Sequence, residues 1–296
     1  MEDIRLDRCH RITDSAFDFC ESPFERLLGC LSLEAISLQG CPQITGEIIT
    51  TLNKNCRRLN YLNLSQCKNV KSPKIQHIFE HNQLLSLNLS FIEDISDEAF
   101  VLMPLLGSGP TALSNSVTLT LSPSKPFSSK RTCPLQKLNL CKSKITDSSI
   151  FRMACLVALL EIRLQWCSGI TDAGITSLVR NCPKLRLLDL KSCPVTDGGI
   201  ASIAALCAEL KELDLSWCPG FSEEGLAHLV HTGRQGRNEA QQLERLSLEW
   251  CMQVTDRTLR ALSALTSLKR VSLGGCAGVT TSGVDQLKTY GIVVDS

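Results

Sequence analysis

The chain has almost no net charge: 31 Lys and Arg stand against 30 Asp and Glu, leaving +1. Nothing global therefore draws it to nucleic acid or to an anionic membrane surface, and neither is expected as a partner. No apolar run approaches the roughly 18 residues of a membrane span. The opening MEDIRLDRCH lacks the apolar stretch of a secretory leader. The C-x-x-C pair common in zinc sites is absent. Gly274-Gly275-Cys276-Ala277-Gly278 is followed by no G-K-[ST], which removes a phosphate loop. His77-Ile78-Phe79-Glu80-His81 matches the H-x-x-E-H zinc-protease signature. However, Ile75, Ile78 and Phe79 give that segment a core face, and the sequence places no further ligand nearby. No metal, cofactor or catalytic residue is expected, and the chain is not expected to be an enzyme.

What is present is a period. Leu159 to Leu190 reads LLEIRLQWCSGITDAGITSLVRNCPKLRLLDL. Leu159, Ile162 and Leu164 follow L-x-x-L-x-L, a short strand with one buried face. Thr171 can cap a helix, and Asp172 sets negative charge at the positive end of its dipole. Ile175, Leu178 and Val179 share one helical face. Cys182-Pro183 ends the helix, and Leu185 restarts the cycle. The last strand leucine recurs at Leu6, Leu38, Leu64, Leu89, Leu140, Leu164, Leu190, Leu215, Leu248 and Leu273, most steps being 24 to 26 residues by difference. A strand and a helix in that period make a leucine-rich repeat. The fold class is therefore α/β: a curved solenoid with parallel strands on the concave side and helices on the convex side.

The whole of 1–296 reads as one array of about ten repeats closed by the strand Ile292-Val293-Val294. Two insertions interrupt it between a helix and the next strand. One is the Ser/Pro/Gly-rich 107–134, read as a mobile loop in which Val117 to Leu121 alternate like one irregular strand. The other is the shorter 232–242. A helix is expected from Ser96 to Leu106. In the third repeat Ser72 is the expected cap, with Pro73 at the first helical position. The first strand, Ile4-Arg5-Leu6, begins beside Met1 with nothing to cap the array. Either something else covers that end or the chain is a shortened product of a longer one, and the second is the expectation.

The sixteen cysteines fall in columns. Cys9, Cys41, Cys67, Cys167, Cys193, Cys218, Cys251 and Cys276 lie just past the strand. Cys30, Cys56, Cys182 and Cys207 precede the next strand. Equivalent residues on adjacent parallel strands sit ~4.8 Å apart and point the same way, which does not suit the converging geometry of a disulfide. They are expected as buried reduced thiols that donate weakly to carbonyls, in a cytoplasmic or nuclear protein.

Three further columns carry the candidate partner-binding residues. Between the last two strand leucines stand Arg5, Ser37, Asn63, Asn88, Asn139, Arg163, Asp189, Asp214, Ser247 and Ser272, polar throughout. Asp189 and Asp214 become a like-charge pair one strand apart, which Arg163, Lys191 or a basic partner side chain can offset. A catalytic carboxylate pair has no nucleophile, histidine or metal cluster to work with. Just before the motif cysteine stand all three tryptophans, Trp166, Trp217 and Trp250, with Phe91 in the same place. They form either an interface ridge or a cover over the cysteines. Arg245 and Arg270 share a third column with Lys137 and Glu212, a local basic patch.

The joint recurrence of L-x-x-L-x-L-x-x-C, I-T-D and C-P-x-L resembles the cysteine-containing leucine-rich repeats. These are typical of F-box/LRR proteins and of antagonist-of-mitotic-exit-network proteins. The resemblance covers roughly Ile4 to Val294, apart from 107–134. It implies a substrate-recognition component of an SCF-type ubiquitin ligase, with a protein substrate on the concave face. The F-box helices that dock such proteins on Skp1 and its cullin are not seen here, so that contact would need a separate module. The alternative is a leucine-rich-repeat binding scaffold unrelated to ubiquitin.

Overall fold

The computed structural model describes residues 2–17, 32–80, 83–101, 103, 133–231 and 242–295. They form one parallel sheet of eleven three-residue strands in strict sequence order. The strands are β1 Asp3–Arg5, β2 Ala35–Ser37, β3 Tyr61–Asn63, β4 Ser86–Asn88, β5 Lys137–Asn139, β6 Glu161–Arg163, β7 Leu187–Asp189, β8 Glu212–Asp214, β9 Arg245–Ser247, β10 Arg270–Ser272 and β11 Val293–Asp295. Each strand pairs residue for residue with the next, so Arg163, Asp189, Asp214 and Ser247 lie in one row across the sheet. Most of 107–134 and 232–242, including Val117 to Leu121, lies outside the described residues. On either side of those segments β4 pairs directly with β5, and β8 with β9.

The middle residue of each inner strand points to the helices. Leu62, Leu138, Ile162, Leu188, Leu213 and Leu246 are buried there, together with the next-but-one leucines Leu64, Leu140, Leu164, Leu190, Leu215 and Leu248. Ile175, Leu178 and Val179 on the helix Asp172–Asn181 close the layer from the other side. Each such side chain removed from water contributes about 1.5–3 kcal/mol, and no repeat could bury its set alone.

The longest described helices lie in the second half, where Asp172–Asn181 and Asp197–Leu206 run for 10 residues each. In two earlier repeats the described residues show short 3₁₀ turns, Asp14–Phe17 and Asp97–Phe100. The helix expected from Ser96 to Leu106 is thus a single 3₁₀ turn within the described residues. Thr171 caps its helix as expected, accepting from the Ala173 amide at 3.3 Å. Ser72 does not cap. It is the first helical residue, its hydroxyl donates to the Asp94 carbonyl, and it accepts the Ser96 amide at 2.9 Å. Ile75 and, within the H-x-x-E-H stretch, Ile78 are core with Phe79 partly buried against them, and the second histidine is outside the described residues.

The helix-opening aspartate does more than complement a dipole. Asp147 accepts both the amide (2.8 Å) and the hydroxyl (2.6 Å) of Thr171 in the next repeat. Asp172 does the same for Thr196, Asp197 for Ser222 and Asp256 for Thr280. These donors hold the Asp256 carboxyl below its ordinary range, chiefly through the Thr280 hydroxyl. A clamp of this kind needs room. A Cβ added to Gly174 would lie 2.1 Å from Asp147 Oδ1, and one on Gly225 2.0 Å from Asp197 Oδ1. Glycine in those helices, unfavourable by propensity, is there to admit the neighbouring acid.

Candidate functional site

The turn that leaves each strand sets the geometry of the exposed surface. Its second residue past the last leucine is left-handed: Arg8, Gln66, Phe91, Lys142, Trp166, Ser192, Trp217 and Trp250, with Gly40 and Gly275 in the same row. The cause is a backbone ladder. With φ positive, each amide reaches the carbonyl of the next repeat, as Trp166 N–H does to Lys191 O (2.9 Å), Ser192 to Ser216 O (2.9 Å) and Trp217 to Glu249 O (2.8 Å). Non-glycine residues bear about 1 kcal/mol of strain in this region. The ladder dictates the backbone but not the side chain.

One residue further, the cysteines turn inward. All fourteen described cysteines are free thiols. The Cys193 thiol donates to Leu164 O at 3.0 Å, Cys218 to Leu190 O at 3.2 Å and Cys251 to Leu215 O at 3.3 Å, each reaching the preceding repeat. Burial pushes Cys67 and Cys218 up to about 11, which makes them unreactive. The donation expected from sequence is present at nearly every step.

The four aromatic residues are brought to one edge and left half-open: Phe91 is 39% exposed, Trp166 44%, Trp217 47% and Trp250 49%. Trp217 stacks on Trp250 with centroids 4.9 Å apart. Phe91 meets Trp166 edge-on at 6.0 Å across Lys142, whose ammonium lies 5.9 Å from the Phe91 ring. The row is therefore two pairs separated at Ser192. The Trp250 ring continues over Gly275, where an added Cβ would meet it at 2.6 Å. The rings are not needed to cover the cysteines: Cys67 follows Gln66 and Cys193 follows Ser192, yet they are 0% and 1% exposed.

Beside this edge, Arg163, Leu187, Leu188, Asp189, Glu212, Leu213, Asp214, Arg245 and Ser247 line a depression of about 190 Å³ on the open face of the sheet. Asp189 and Asp214 are register neighbours, as the repeat spacing predicts. Asp189 is 7% exposed. Burial first, and the Asp214 charge second, push its carboxyl up to about 6. It accepts from the Gln165 amide and from the Lys191 N–H at 3.2 Å. Lys191 brings only that backbone contact, since its ammonium pairs with Glu249 at 3.6 Å. Arg163 pairs with Glu161 at 3.5 Å and lowers the Asp189 value only by its field. The basic patch expected at Arg245 and Arg270 is answered within the chain, Arg245 by Glu212 and Arg270 by Asp295 at 3.8 Å.

The polar row has a second role that the sequence reading missed. Asn63 Oδ1 accepts the Ser65 amide at 3.0 Å, Asn88 that of Ser90 at 3.0 Å and Asn139 that of Cys141 at 3.1 Å. Asp189 and Asp214 repeat this contact, Asp214 accepting from Ser216 at 2.8 Å. The signal was legible: five repeats carrying Asn or Asp in succession, bar Arg163, suit a side chain that caps the amide two residues on. Glycine at 40 and 275 likewise marked the left-handed row.

A family model and one solved structure agree with this architecture. A family model for leucine-rich repeats matches residues 181–204 and 207–230. The structure of an internalin from Listeria monocytogenes is similar over 100% of this chain and 86% of that one, at 15% identity and a TM-score of 0.51. The crystal structure of the yeast Rad7 and Elc1 complex aligns over 96% of this chain and 83% of that one, at 14% identity and a TM-score of 0.38. The chain has the leucine-rich-repeat fold, parallel strands backed by helices.

Proposed function

We propose that this leucine-rich-repeat chain is a non-enzymatic protein-recognition module that binds a partner across the open face of its sheet and along the aromatic edge. The observation that carries the reading is the aromatic row itself. Four large rings occupy strained left-handed positions where the ladder would accept glycine or serine, and close to half of each ring residue remains in water. Tryptophan is favoured at interfaces because it covers a large area with few rotors.

The finer reading is that the module selects substrates for an SCF-type ubiquitin ligase. Its support is the joint recurrence of the motif cysteine, Thr-Asp and Cys-Pro, as in Cys167, Thr171-Asp172 and Cys182-Pro183. Connection to Skp1 and a cullin would run through an F-box module outside these repeats.

Affinity purification of the tagged chain from cells, beside Trp217→Ala/Trp250→Ala, tests both levels. Proteins recovered with the wild type and lost with the double variant support the recognition surface; equal recovery overturns it. Skp1 and a cullin among the recovered proteins support the ligase reading. Their absence, direct or bridged, removes that context in favour of a scaffold unrelated to ubiquitin.

A further inference from the structure

We infer that the aromatic edge and the depression beside it take one extended basic segment of a partner protein, a Lys or Arg side chain seated between Asp189 and Asp214 and a neighbouring apolar side chain laid on the Trp217–Trp250 pair. The inference rests on the recognition reading above and names its partner's chemistry.

The surface comes first. The Trp217–Trp250 stack is an exposed apolar platform whose ring identities the backbone ladder does not require. Met252, 59% exposed, follows two residues on from Trp250. Asp214 and Trp217 are three residues apart in one turn, so the depression and the platform lie within about 10 Å. Alternate side chains of an extended peptide stand about 7 Å apart, and longer side chains extend that reach, so one short segment spans both.

Charge then selects the occupant. Asn63, Asn88 and Asn139 hold the same turn amides with a neutral side chain. Asp189 and Asp214 make the same bond and add two like charges in adjacent register, which the turn does not need. The surrounding cations are already engaged, Arg163 with Glu161, Lys191 with Glu249 and Arg245 with Glu212. The lining sets Asp189, Glu212 and Asp214 against Arg163 and Arg245, so the depression holds negative charge in excess, over strand backbone and the half-buried Leu187 side chain. An acidic or wholly apolar partner would cover these carboxylates without a counter-charge, a costly arrangement. A guanidinium or ammonium supplies it.

The test is selection of displayed random peptides on the purified chain, with counter-selection on Trp217→Ala/Trp250→Ala. Enriched peptides are resynthesised and titrated against the wild type and Asp189→Asn/Asp214→Asn. The neutral pair is the one the protein itself uses at positions 63 and 88, so the turn bonds persist. The expected peptides carry Lys or Arg next to a leucine or aromatic residue, and bind the neutral variant roughly thirty-fold more weakly. Replacing the peptide's arginine by neutral citrulline costs a similar factor against the wild type and little against the neutral variant. Enriched peptides without a basic residue, or undiminished binding to the neutral variant, overturn this inference and leave the recognition surface standing. If no peptide distinguishes the wild type from the tryptophan variant, both readings fall.

Discussion

Trp217 and Cys218 are neighbours in one turn and have opposite fates. The cysteine is 1% exposed, and its thiol ties two repeats together. The tryptophan is 47% exposed: its amide bonds the next repeat, and its ring stacks on Trp250 while staying open to water. Inside the array, side-chain identity is set by packing, so cysteine, leucine and aspartate recur. On the outer row the backbone alone is constrained, and Arg, Gly, Gln, Phe, Lys, Trp and Ser all satisfy it. A preference for aromatics on that row is information the fold did not demand.

The largest effect expected from breaking this division lies on the packed side. Gly174→Val drives its Cβ into Asp147 Oδ1, so the clamp on Thr171 must open. Overpacking and the loss of two bonds to a charged acceptor together cost about 3–4 kcal/mol, read as a lower midpoint in urea unfolding. Any folded fraction keeps its affinity. Next comes the neighbouring pair. Trp217→Ala weakens a selected peptide by about 2 kcal/mol, while the lost stacking on Trp250 lowers stability by only about 1 kcal/mol. Cys218→Ala does the reverse: about 1.5 kcal/mol of stability goes with the thiol bond and the small cavity, and peptide affinity stays the same. Peptide titration and chemical unfolding of both variants decide whether the two positions divide as described.

The packed half of this division was legible in the sequence because its residues repeat. The middle strand positions Ile162, Leu188 and Leu213, together with Cys193 and Cys218, gave strand, core and thiol positions directly. The outer half was less legible because it depends on directions that no spacing reveals. Lys191 stands beside Asp189 in the text, yet its ammonium goes to Glu249 two repeats on. Arg245 and Arg270 look like a patch until Glu212 and Asp295 answer them. Asp172 reads as a dipole residue, because its second partner, Thr196, is one repeat away in sequence.

Asp189→Asn sharpens the comparison through pH. A native carboxyl near 6, against about 3.9 when unfolded, makes the folded chain hold more protons between those values. Stability from this residue therefore rises as pH falls from 7 toward 4, and its charge is a liability at neutral pH. The groups around it are Asp214, Arg163, Glu212 and Arg245. The substitution should stabilise the fold by about 1 kcal/mol at pH 7, with the advantage gone near pH 4. The same change weakens the basic peptide. Stability rising while affinity falls is the signature of a residue kept for binding.

The smallest effect tests the strain on which the outer row is read. Ser192 is left-handed at φ 57° with a side chain too small to cover anything. Ser192→Gly relieves about 1 kcal/mol of steric strain but frees the unfolded chain by about 0.5 kcal/mol. A net gain of about 0.5 kcal/mol is expected, resolvable as a shifted urea midpoint with an unchanged slope. The gain would establish that every side chain on this row is held against a backbone preference, the three tryptophans included. No gain would mean the ladder geometry carries no strain, and the aromatic row would then rest on its exposure alone, without the cost that makes its retention informative.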